Sequence, residues 1–415
     1  MPIKVINILH HIPNQIIKEF KDPNDFIQRF PDTEFLKLDK SPYWVGFFND
    51  WHHQWGKYIK DASDNIDIEC WRPYGSQIKR VYEKNIDGIL HKVFPSREFR
   101  LKKAGSFTYA PQMLKALKIE VRKGEKIIIH FYGSHSLLIY YLIIKLRKTG
   151  VPIIVQHLGG WFFCFESGNS INPFPKLKYL IERYALRFVT KYLTASRTEL
   201  DFLRQNFKDL DYEFFLNGID LDKFKRNNSK EAAKIQLGLK KDQKMILYVG
   251  RLDYTKNVDL LIKAYTNIKV VNPEIKLFLV GGYKSDILYN EAISCEAEVI
   301  ERSDAPISIY YEAADVYVLT ISNYHVKEFG GIGIAPLEAL AFDLPVISQN
   351  IKHFNGPVSD IDSVGILLDD FNQLEKLILE ILNNSKKYSN GRQFIMKYFD
   401  IHDNTERIIK IYKSI

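Results

Sequence analysis

Two basic residues, Arg251 and Lys256, stand five positions apart directly after the apolar stretch KMILYVG. A stretch of that composition predicts a buried strand, and the helical pattern NVDLLIKAYTNI follows the pair. In parallel sheets ligands bind outside the carboxyl ends of the strands, and the amides at a helix N-terminus attract anions. The pair is therefore a candidate cradle for a diphosphate, with ordinary solvated surface as the alternative.

A second candidate site is the glycine-rich stretch FGGIGIAPLEAL, which precedes a predicted helix and contains Gly330, Gly331 and Gly333. Glycines let the backbone amides, including that of Ile334, come close to an anion. Glu338 is predicted in the first helical turn, where its carboxylate would accept hydrogen bonds from a pair of hydroxyls, as acidic residues do with a ribose. The alternative is a structural turn whose glutamate compensates the helix dipole.

Weaker candidates follow three other predicted strands. Gly282, with Gly281, ends IKLFLVGG, where a close backbone approach and a simple tight turn are both consistent with the sequence. His157 ends VPIIVQH and is followed by LGGW, so that a role in a cleft competes with that of a satisfied structural histidine. His130 and Gly133 near the end of KIIIHFYG are candidates of the same kind.

Short β-branched stretches alternate with helical patterns along the chain, which is typical of βαβ units in a parallel sheet. In the first half the predicted strands are IKVINIL, IDIECW, KIIIHFY, VPIIVQHL and RFVTKYLTAS, and SLLIYYLIIKLRKTG predicts a buried helix. In the second half they are KMILYVG, IKLFLVGG, AEVIE, ADVYVLT and LPVIS, with PLEALAF as a further helix. The predicted fold class is α/β, with two Rossmann-like doubly wound parallel sheets.

A length of 415 residues with 46% apolar residues favours two globular domains. Residues 221–243 are polar and charged and are the predicted linker region. The last segment, residues 391–415, has the pattern of an amphipathic terminal helix, and the residues alone do not say which domain it packs on.

The cysteines and the lengths of the apolar runs indicate the cellular compartment. Cys70, Cys164 and Cys295 are far apart and in no metal-ligand spacing, which suits free thiols in a reducing compartment. We find neither a signal-peptide pattern nor an apolar run long enough to span a bilayer. The expected location is the cytoplasm.

Five segments, in this order, resemble the retaining nucleotide-sugar glycosyltransferases of the GT-B fold, the large "group 1" (family 4-like) superfamily. They are FFLNGIDLDKFK, ILYVGRLDYTKNVDLLIKAY, LFLVGG, AADVYVLT and EFGGIGIAPLEALAFDLPVIS. The resemblance covers residues 214–383 and is looser in the first half, through IIIHFYGS, VPIIVQHLGG and LTASRTELDFL. It implies two Rossmann-like domains facing across a cleft, with the acceptor in residues 1–225 and the donor in residues 226–390. It also implies that residues 391–415 cross back onto the first domain.

The resemblance assigns roles to single residues. The positions that match donor-diphosphate contacts of the family are Arg251, Lys256, Gly333 and Ile334. Glu338 matches the carboxylate that holds the ribose, and His157 matches a histidine that faces the transferred sugar. Gly159, Gly160 and Trp161 would then shape the cleft wall.

The sequence departs from the family pattern in two places. A second glutamate, eight positions before the first, contacts the donor sugar in the family, and here that position is Gly330. Glu328 lies two residues upstream and either replaces it or leaves the contact missing. The loop after the first strand, HHIPNQ, lacks the glycine pair that many relatives carry near the phosphates.

The implied activity is transfer of a sugar from a nucleotide-diphosphate donor to a glycan, glycolipid or lipid-linked acceptor, with retention of configuration. No Asp-x-Asp or histidine–carboxylate spacing indicates a metal, so the nucleotide sugar is expected as the only co-substrate. The alternatives are a GT-B sugar-nucleotide epimerase, which would need further carboxylates in the cleft, and a non-catalytic sugar-nucleotide-binding protein.

The net charge of +8 is unevenly distributed. Residues 1–225 hold 35 basic and 25 acidic side chains, whereas residues 226–415 hold 23 and 25. A pI near 9.0 would suit nucleic acid, but no nucleic-acid-binding module is recognisable. The basic helical pattern PKLKYLIERYALRFVTKY could instead lie against an anionic membrane, with a buried helix and a lysine-rich surface as the alternative.

Overall fold

The computed structural model describes residues 2–9, 51–75, 80–101, 105–133, 136–157, 173–216, 218–252, 254–282, 286–301, 307–320, 333–349, 351, 354 and 358–415. The chain divides into two compact units. The first unit is Met1–Phe215 with Asn404–Ile415, and the second is Leu216–Asp403.

These limits differ from the predicted 1–225, 226–390 and 391–415. Residues 216–225 and 391–403 belong to the second unit. Arg392 donates hydrogen bonds to the carbonyl oxygens of Leu221 and Phe224, at 2.9 and 2.8 Å. The predicted single helix over 391–415 is two helices, Gly391–Tyr398 and Ile401–Ser414. Residues from Asn404 onwards belong to the first unit.

The first unit contains an eight-stranded sheet in the order β10-β9-β8-β7-β1-β2-β4-β3, in which only β3 is antiparallel to its neighbour. A separate antiparallel hairpin joins β5 and β6. The strands are β1 (Ile3–Leu9), β2 (Ile66–Gly75), β3 (Tyr82–Ile86), β4 (Ile89–Pro95), β5 (Arg97–Leu101), β6 (Gly105–Tyr109), β7 (Lys126–Tyr132), β8 (Ile153–His157), β9 (Lys191–Thr194) and β10 (Tyr212–Phe214).

The helices of this unit cover both faces of the sheet. They are α1 (Trp51–Ala62), α2 (Pro111–Arg122), α3 (Leu137–Leu146), α4 (Pro173–Leu186), α5 (Arg197–Asn206) and, as the last helix of the chain, α14 (Ile401–Ser414). Side chains of a strand alternate between faces. Ile127, Ile129 and Phe131 of β7 therefore pack in one core with α2, α3, α4 and α5. His130 and Tyr132 point to the other face, where they contact α14 and α1.

The sequence prediction missed the hairpin of β3 and β4. Asp87 and Gly88 form its two-residue turn with φ values of 51° and 80°. Asp-Gly is a favoured pair for a turn with two positive φ angles, so the sequence did carry a signal for this hairpin.

The second unit contains a six-stranded, wholly parallel sheet in the order β13-β12-β11-β14-β15-β16. Its strands are β11 (Met245–Val249), β12 (Lys276–Val280), β13 (Glu298–Ile300), β14 (Val316–Leu319), β15 (Val346–Ser348) and β16 (Gly365–Leu367). Five of the six correspond to predicted strands, and β16 was not predicted. Their continuous apolar sequences reflect burial of both faces under helices.

The helices of the second unit alternate with these strands. They are α6 (Lys230–Gln236), α7 (Val258–Val271), α8 (Tyr289–Ser294), α9 (Ser308–Ala313), α10 (Ile334–Ala341), α11 (Val358–Asp362), α12 (Leu374–Asn383) and α13 (Gly391–Tyr398). Two doubly wound α/β domains were predicted, and both are present.

Candidate functional site

The strand order of the second unit locates a ligand crevice. The chain runs from β11 outward to β13 and then returns to β14 on the other side of β11, so the order reverses between β11 and β14. Ligands of open α/β sheets bind outside the carboxyl ends of the strands at this reversal. The segments that follow β11 and β14 are therefore the ones to search for chemistry.

Arg251 and Lys256 lie in the segment after β11. Arg251 is exposed, and its carbonyl oxygen accepts a hydrogen bond from the Tyr248 hydroxyl at 2.8 Å. Lys256 is partly buried and ends the 3₁₀ turn Tyr254–Lys256. Asn257, with φ 48°, then leads into α7. The predicted arrangement of a strand, a basic loop and a helix is present.

Gly282 has a packing reason to be glycine. A Cβ atom there would lie 2.6 Å from Cδ1 of Leu252, which is fully buried in the loop after β11. Gly281 precedes it with φ +94°. A Cβ atom at Gly281 would lie 3.3 Å from the carbonyl oxygen of Gly250. The pair therefore allows the loop after β12 to pack closely on the backbone of the loop that carries Arg251.

Gly333 is the residue before α10 and has φ 75°, a conformation that favours glycine. Ile334 begins the helix and is exposed. Glu338 is the fifth residue of α10, so its predicted position in the first turn is wrong: the helix begins two residues before Pro336. Glu338 therefore does not serve to compensate the first-turn dipole.

Glu338 has a specific partner. The Tyr311 hydroxyl of α9 donates a hydrogen bond to Glu338 Oε2 at 2.8 Å. Tyr311 is fully buried and stacks on Phe342 at a ring-centroid distance of 5.6 Å. Burial raises the pKa of Glu338, and the Tyr311 hydrogen bond partly offsets that rise. Burial, and then the Glu338 charge, raise the pKa of Tyr311 well above its usual value, so the phenol keeps its proton and donates.

Two further tyrosines connect Glu338 with the arginine loop. Tyr317 of β14 is fully buried, and its pKa is raised first by burial and then by Tyr248 and Glu338. Tyr248 in turn holds the Arg251 carbonyl. The predicted phosphate-binding loop and the predicted ribose carboxylate thus lie around one tyrosine cluster, formed by Tyr248, Tyr311 and Tyr317.

His157 lies in the first unit, at the carboxyl end of β8, and is buried. Its Nδ1 is 2.5 Å from Glu199 Oε2, and the hydroxyls of Tyr192 and Thr194 donate to the same carboxylate at 2.7 and 2.6 Å. Glu199 is fully buried at the start of α5. This network fixes the imidazole ring at the end of its strand.

His130 does not follow its strand but lies within β7, fully buried. Its Nδ1 is 2.7 Å from the Tyr412 hydroxyl of α14, and burial lowers the pKa of His130 to about 3. His130 is therefore neutral and packed inside the unit, and its acceptor-side role stays a prediction. Gly133 follows β7 with φ 90°, and its amide donates to the Gln156 carbonyl oxygen at 2.8 Å.

Several predicted site residues lie outside the described part of the chain. They are Gly159, Gly160, Trp161, Glu328, Gly330 and Gly331. Whether Glu328 replaces the glutamate expected at position 330 stays a question for experiment.

One group of described residues brings possible metal ligands together. Asp220, Asp222 and His402 place ligand atoms within 4.8 Å of one another, beside the short pairing of Ile219 with Asp400. Asp220 Oδ1 already accepts the amides of Asp222 and Lys223 at 2.8 and 3.2 Å. The expected independence from metal remains a prediction.

Tyr311 and Glu199 were not predicted. Ser196 and Glu199 match the S-x-x-E capping pattern, and the Ser196 hydroxyl does accept the Glu199 amide at 3.3 Å. The glutamate side chain turns to His157 instead of returning to the cap. Tyr311 lies 27 residues from Glu338, and no local pattern joins the two.

Solved structures define the class of fold. The described architecture is similar to sucrose-phosphate synthase from Thermosynechococcus elongatus, with a TM-score of 0.68 and 18% identity over 99% of this chain and 98% of that one. It is also similar to HepE of Anabaena, solved in complex with UDP, with a TM-score of 0.63 and 14% identity over 99% of this chain and 100% of that one. The fold is therefore the two-domain α/β architecture of the GT-B glycosyltransferases, as predicted.

Sequence comparison identifies the family. Residues 229–395 match the model of "Glycosyl transferases group 1". The match lies within the second unit, and it confirms the predicted resemblance to the group 1 glycosyltransferases.

Two relatives match parts of the chain in sequence. The chain is 26% identical to an alpha-monoglucosyldiacylglycerol synthase of Streptococcus pneumoniae, over 65% of this chain and 61% of that protein. It is 30% identical to a D-inositol 3-phosphate glycosyltransferase of Segniliparus rotundus, over 37% of this chain and 35% of that protein. The chain spans less than two thirds of the length of either.

Proposed function

We propose that this chain transfers a sugar from a nucleotide-diphosphate donor to a glycan, glycolipid or lipid-linked acceptor, with retention of configuration. The observation that carries the proposal is the reversal of strand order between β11 and β14, where ligands of open α/β sheets bind. A basic loop with Arg251 and Lys256 borders it on one side, and α10 with Gly333 and Glu338 on the other. The match of residues 229–395 to the model of the group 1 glycosyltransferases supports the same function.

The basic loop acts on the leaving group. When the bond between the anomeric carbon and the phosphate oxygen breaks, its electron pair stays on the diphosphate. Arg251 and Lys256 stabilise that charge together with the amides at Gly333 and Ile334, and no metal ion is required. The acceptor oxygen bonds to the same face of the anomeric carbon, and its proton goes to the departing phosphate.

Glu338 binds the ribose of the donor. Tyr311 donates to its Oε2, which leaves Oε1 and a second lone pair of Oε2 to accept from the ribose hydroxyls. On the acceptor unit, His157 contacts the transferred sugar, and Glu199 sets the orientation of the ring. This second role rests on the family resemblance of His157.

The relatives support the donor and acceptor classes. HepE was solved with UDP, and the streptococcal relative is a synthase of a glucosylated diacylglycerol. A nucleoside-diphosphate hexose and a lipid acceptor are therefore the first substrates to test.

The test is incubation of the purified chain with a panel of nucleotide sugars and candidate acceptors, followed by mass spectrometry. A glycosylated acceptor is the expected product. An epimerised or unchanged donor with every acceptor would contradict the proposal in favour of an epimerase or a binding protein.

The same assay tests the basic loop. We expect Arg251→Ala and Lys256→Ala each to lower turnover about a hundredfold, or about 3 kcal/mol, because each removes a charge from the leaving diphosphate. Lys263→Ala, on the exposed side of α7, is the matched control and should keep activity. Full turnover in a folded Arg251→Ala/Lys256→Ala variant would remove this loop from the mechanism.

A further inference from the structure

Helix α4 of the first unit leaves an apolar stripe exposed. Leu177, Leu180 and Tyr184 are 54%, 58% and 42% exposed. Their spacing of three and four residues places them in a row along one side of the helix. The opposite side is covered, since Ala185 and Leu186 belong to the core of the sheet.

Basic residues flank this stripe. Lys176, Arg183 and Arg187, which follows the helix, are exposed beside it. The single acidic residue of α4, Glu182, is fully buried and accepts a hydrogen bond from Tyr140 of α3. Among its described side chains, α4 therefore presents apolar and cationic groups to solvent, and no acidic ones.

Helix α2 of the same unit repeats this pattern. Its exposed residues include Lys115, Ile119 and Arg122. Its one acid, Glu120, is buried and paired with Lys4 and Lys123 at 3.0 and 2.7 Å. Helix α3 lies between α2 and α4, contacts both of them and exposes Lys145. The three helices form one basic layer, called here the α2–α4 face.

A cavity of about 610 Å³ lies at the end of α4. Arg183, Arg187 and Lys208 line it together with the apolar side chains of Leu180 and Tyr184, and Asp209 is its acidic member. Val189 and Leu210, which also line it, precede β9 and β10. The cavity therefore lies at the amino ends of these strands, whereas His157 lies at the carboxyl end of its strand.

We propose that the α2–α4 face binds the surface of an anionic lipid bilayer, with the stripe of α4 in the interfacial layer and the basic residues against lipid phosphates. Charge complementarity decides the occupant. A nucleic acid would leave the leucines of the stripe unused, and a second copy of the face would oppose like charges. Such binding would bring a lipid-linked acceptor to the first unit, but neither the exposed side chains of the face nor the vesicle assay depends on catalysis.

The test is co-sedimentation of the full chain with vesicles of phosphatidylcholine, pure or containing one quarter phosphatidylglycerol, at low and high salt. We expect binding to the anionic vesicles, about tenfold weaker or absent with the neutral ones, and reduced by salt. Two variants separate the two contributions, Leu177→Ser/Leu180→Ser and Arg183→Gln/Arg187→Gln. Each should lower the bound fraction about tenfold, since all four side chains are exposed and contribute to the bilayer contact.

Matched controls come from the second unit. Val270→Ser/Val271→Ser removes exposed apolar side chains of α7, and Lys240→Gln/Lys241→Gln removes exposed charges. Both should bind vesicles as the parent chain does. Nucleotide binding without lipid, measured by calorimetry, should be unchanged in all four variants, so that failure here is distinguishable from failure of the proposed function.

Three results would overturn the proposal. One is equal binding to neutral and anionic vesicles, or binding to neither. Another is vesicle binding that the face variants retain. The third is a lipid-free dimer that dissociates in Leu177→Ser/Leu180→Ser, because it would assign the stripe to a second copy of the chain.

Discussion

At the scale of single residues, the Tyr311–Glu338 pair decides how a carboxylate can serve the proposed nucleotide site. A buried glutamate is difficult to ionise, and burial does raise the pKa of Glu338. The phenol of Tyr311 favours the ionised form by donating to it. Ribose recognition needs that form, because only an ionised carboxylate is a pure acceptor.

We therefore expect Tyr311→Phe to weaken nucleotide-diphosphate binding. Loss of the hydrogen bond would raise the pKa of Glu338 further. As the pH is lowered, nucleotide affinity should therefore begin to fall at a higher pH in the variant than in the parent chain. The expected loss at neutral pH is about five- to tenfold, or about 1 kcal/mol, which is the net contribution of a typical hydrogen bond. Calorimetric titration with UDP and GDP across the acid range measures both effects.

Tyr310→Phe is the matched control for this experiment. Tyr310 is the adjacent buried tyrosine of α9 and contacts Phe278 at a ring-centroid distance of 6.2 Å. It should bind nucleotide as the parent chain does at every pH. A Tyr311→Phe chain with an unchanged pH profile would mean that the tyrosine only packs.

At the scale of elements, Asp315 joins three parts of the second unit at the start of β14. Its carboxylate is 2.8 Å from the ammonium of Lys234 and 3.3 Å from that of Lys230, both on α6. The same carboxylate accepts the Met245 amide of β11 at 2.9 Å. Helix α6 is therefore attached to the two strands that border the proposed crevice.

We expect Asp315→Asn to lower the free energy of unfolding of the second unit by about 3–5 kcal/mol, because Lys234 is buried and would lose its counter-charge. Burial alone would raise the pKa of Asp315, but Lys230 and Lys234 outweigh burial and hold it below 3.8. The stabilisation is therefore complete above pH 3.8 and is lost as the pH falls through the lowered pKa. Urea denaturation at neutral and acid pH measures it.

Lys244→Ala provides the control for Asp315. Lys244 lies 4.0 Å from the same carboxylate but is 41% exposed, so its removal should change stability by less than about 1 kcal/mol. An Asp315→Asn chain as stable as the parent would show that the pair is not needed to hold α6.

At the scale of the whole molecule, the last helix, α14, packs in the first unit. Tyr412 and Ile408 of α14 are fully buried there, and the Tyr412 hydroxyl pairs with His130 in the middle of the sheet. The other ring nitrogen of His130 is buried and has no partner among the described residues. The bond to Tyr412 is therefore the one that satisfies this histidine.

We expect Tyr412→Phe to destabilise the first unit by about 1–3 kcal/mol, since it leaves a second buried nitrogen of His130 without a partner. Hydrogen exchange followed by mass spectrometry should show faster exchange in peptides of β1 and β7. Peptides of β11 and β14, and nucleotide affinity, should not change. Equal effects in both units would contradict the assignment of α14 to the first.

Much of the secondary structure of this protein can be predicted from local sequence patterns. β-Branched runs predicted β7 and β11 because both faces of a parallel strand are buried and its sequence is apolar throughout. Arg251 and Lys256 could be singled out because a loop between a strand and a helix is recognisable from the adjacent residues. The Asp87–Gly88 hairpin was equally local and could have been predicted.

The sequence by itself thus determined the elements, the two α/β sheets and the loop proposed to bind phosphate, since hydrophobic period and turn chemistry act over a few residues. Only the tertiary structure decided the strand order that reverses between β11 and β14, and with it the place of the crevice. It also decided that Tyr311 binds Glu338, that Glu199 binds His157, and that α4 exposes Leu177 and Leu180. These facts depend on which surfaces pack together, and residues 27 or 42 positions apart leave no local signal of that contact.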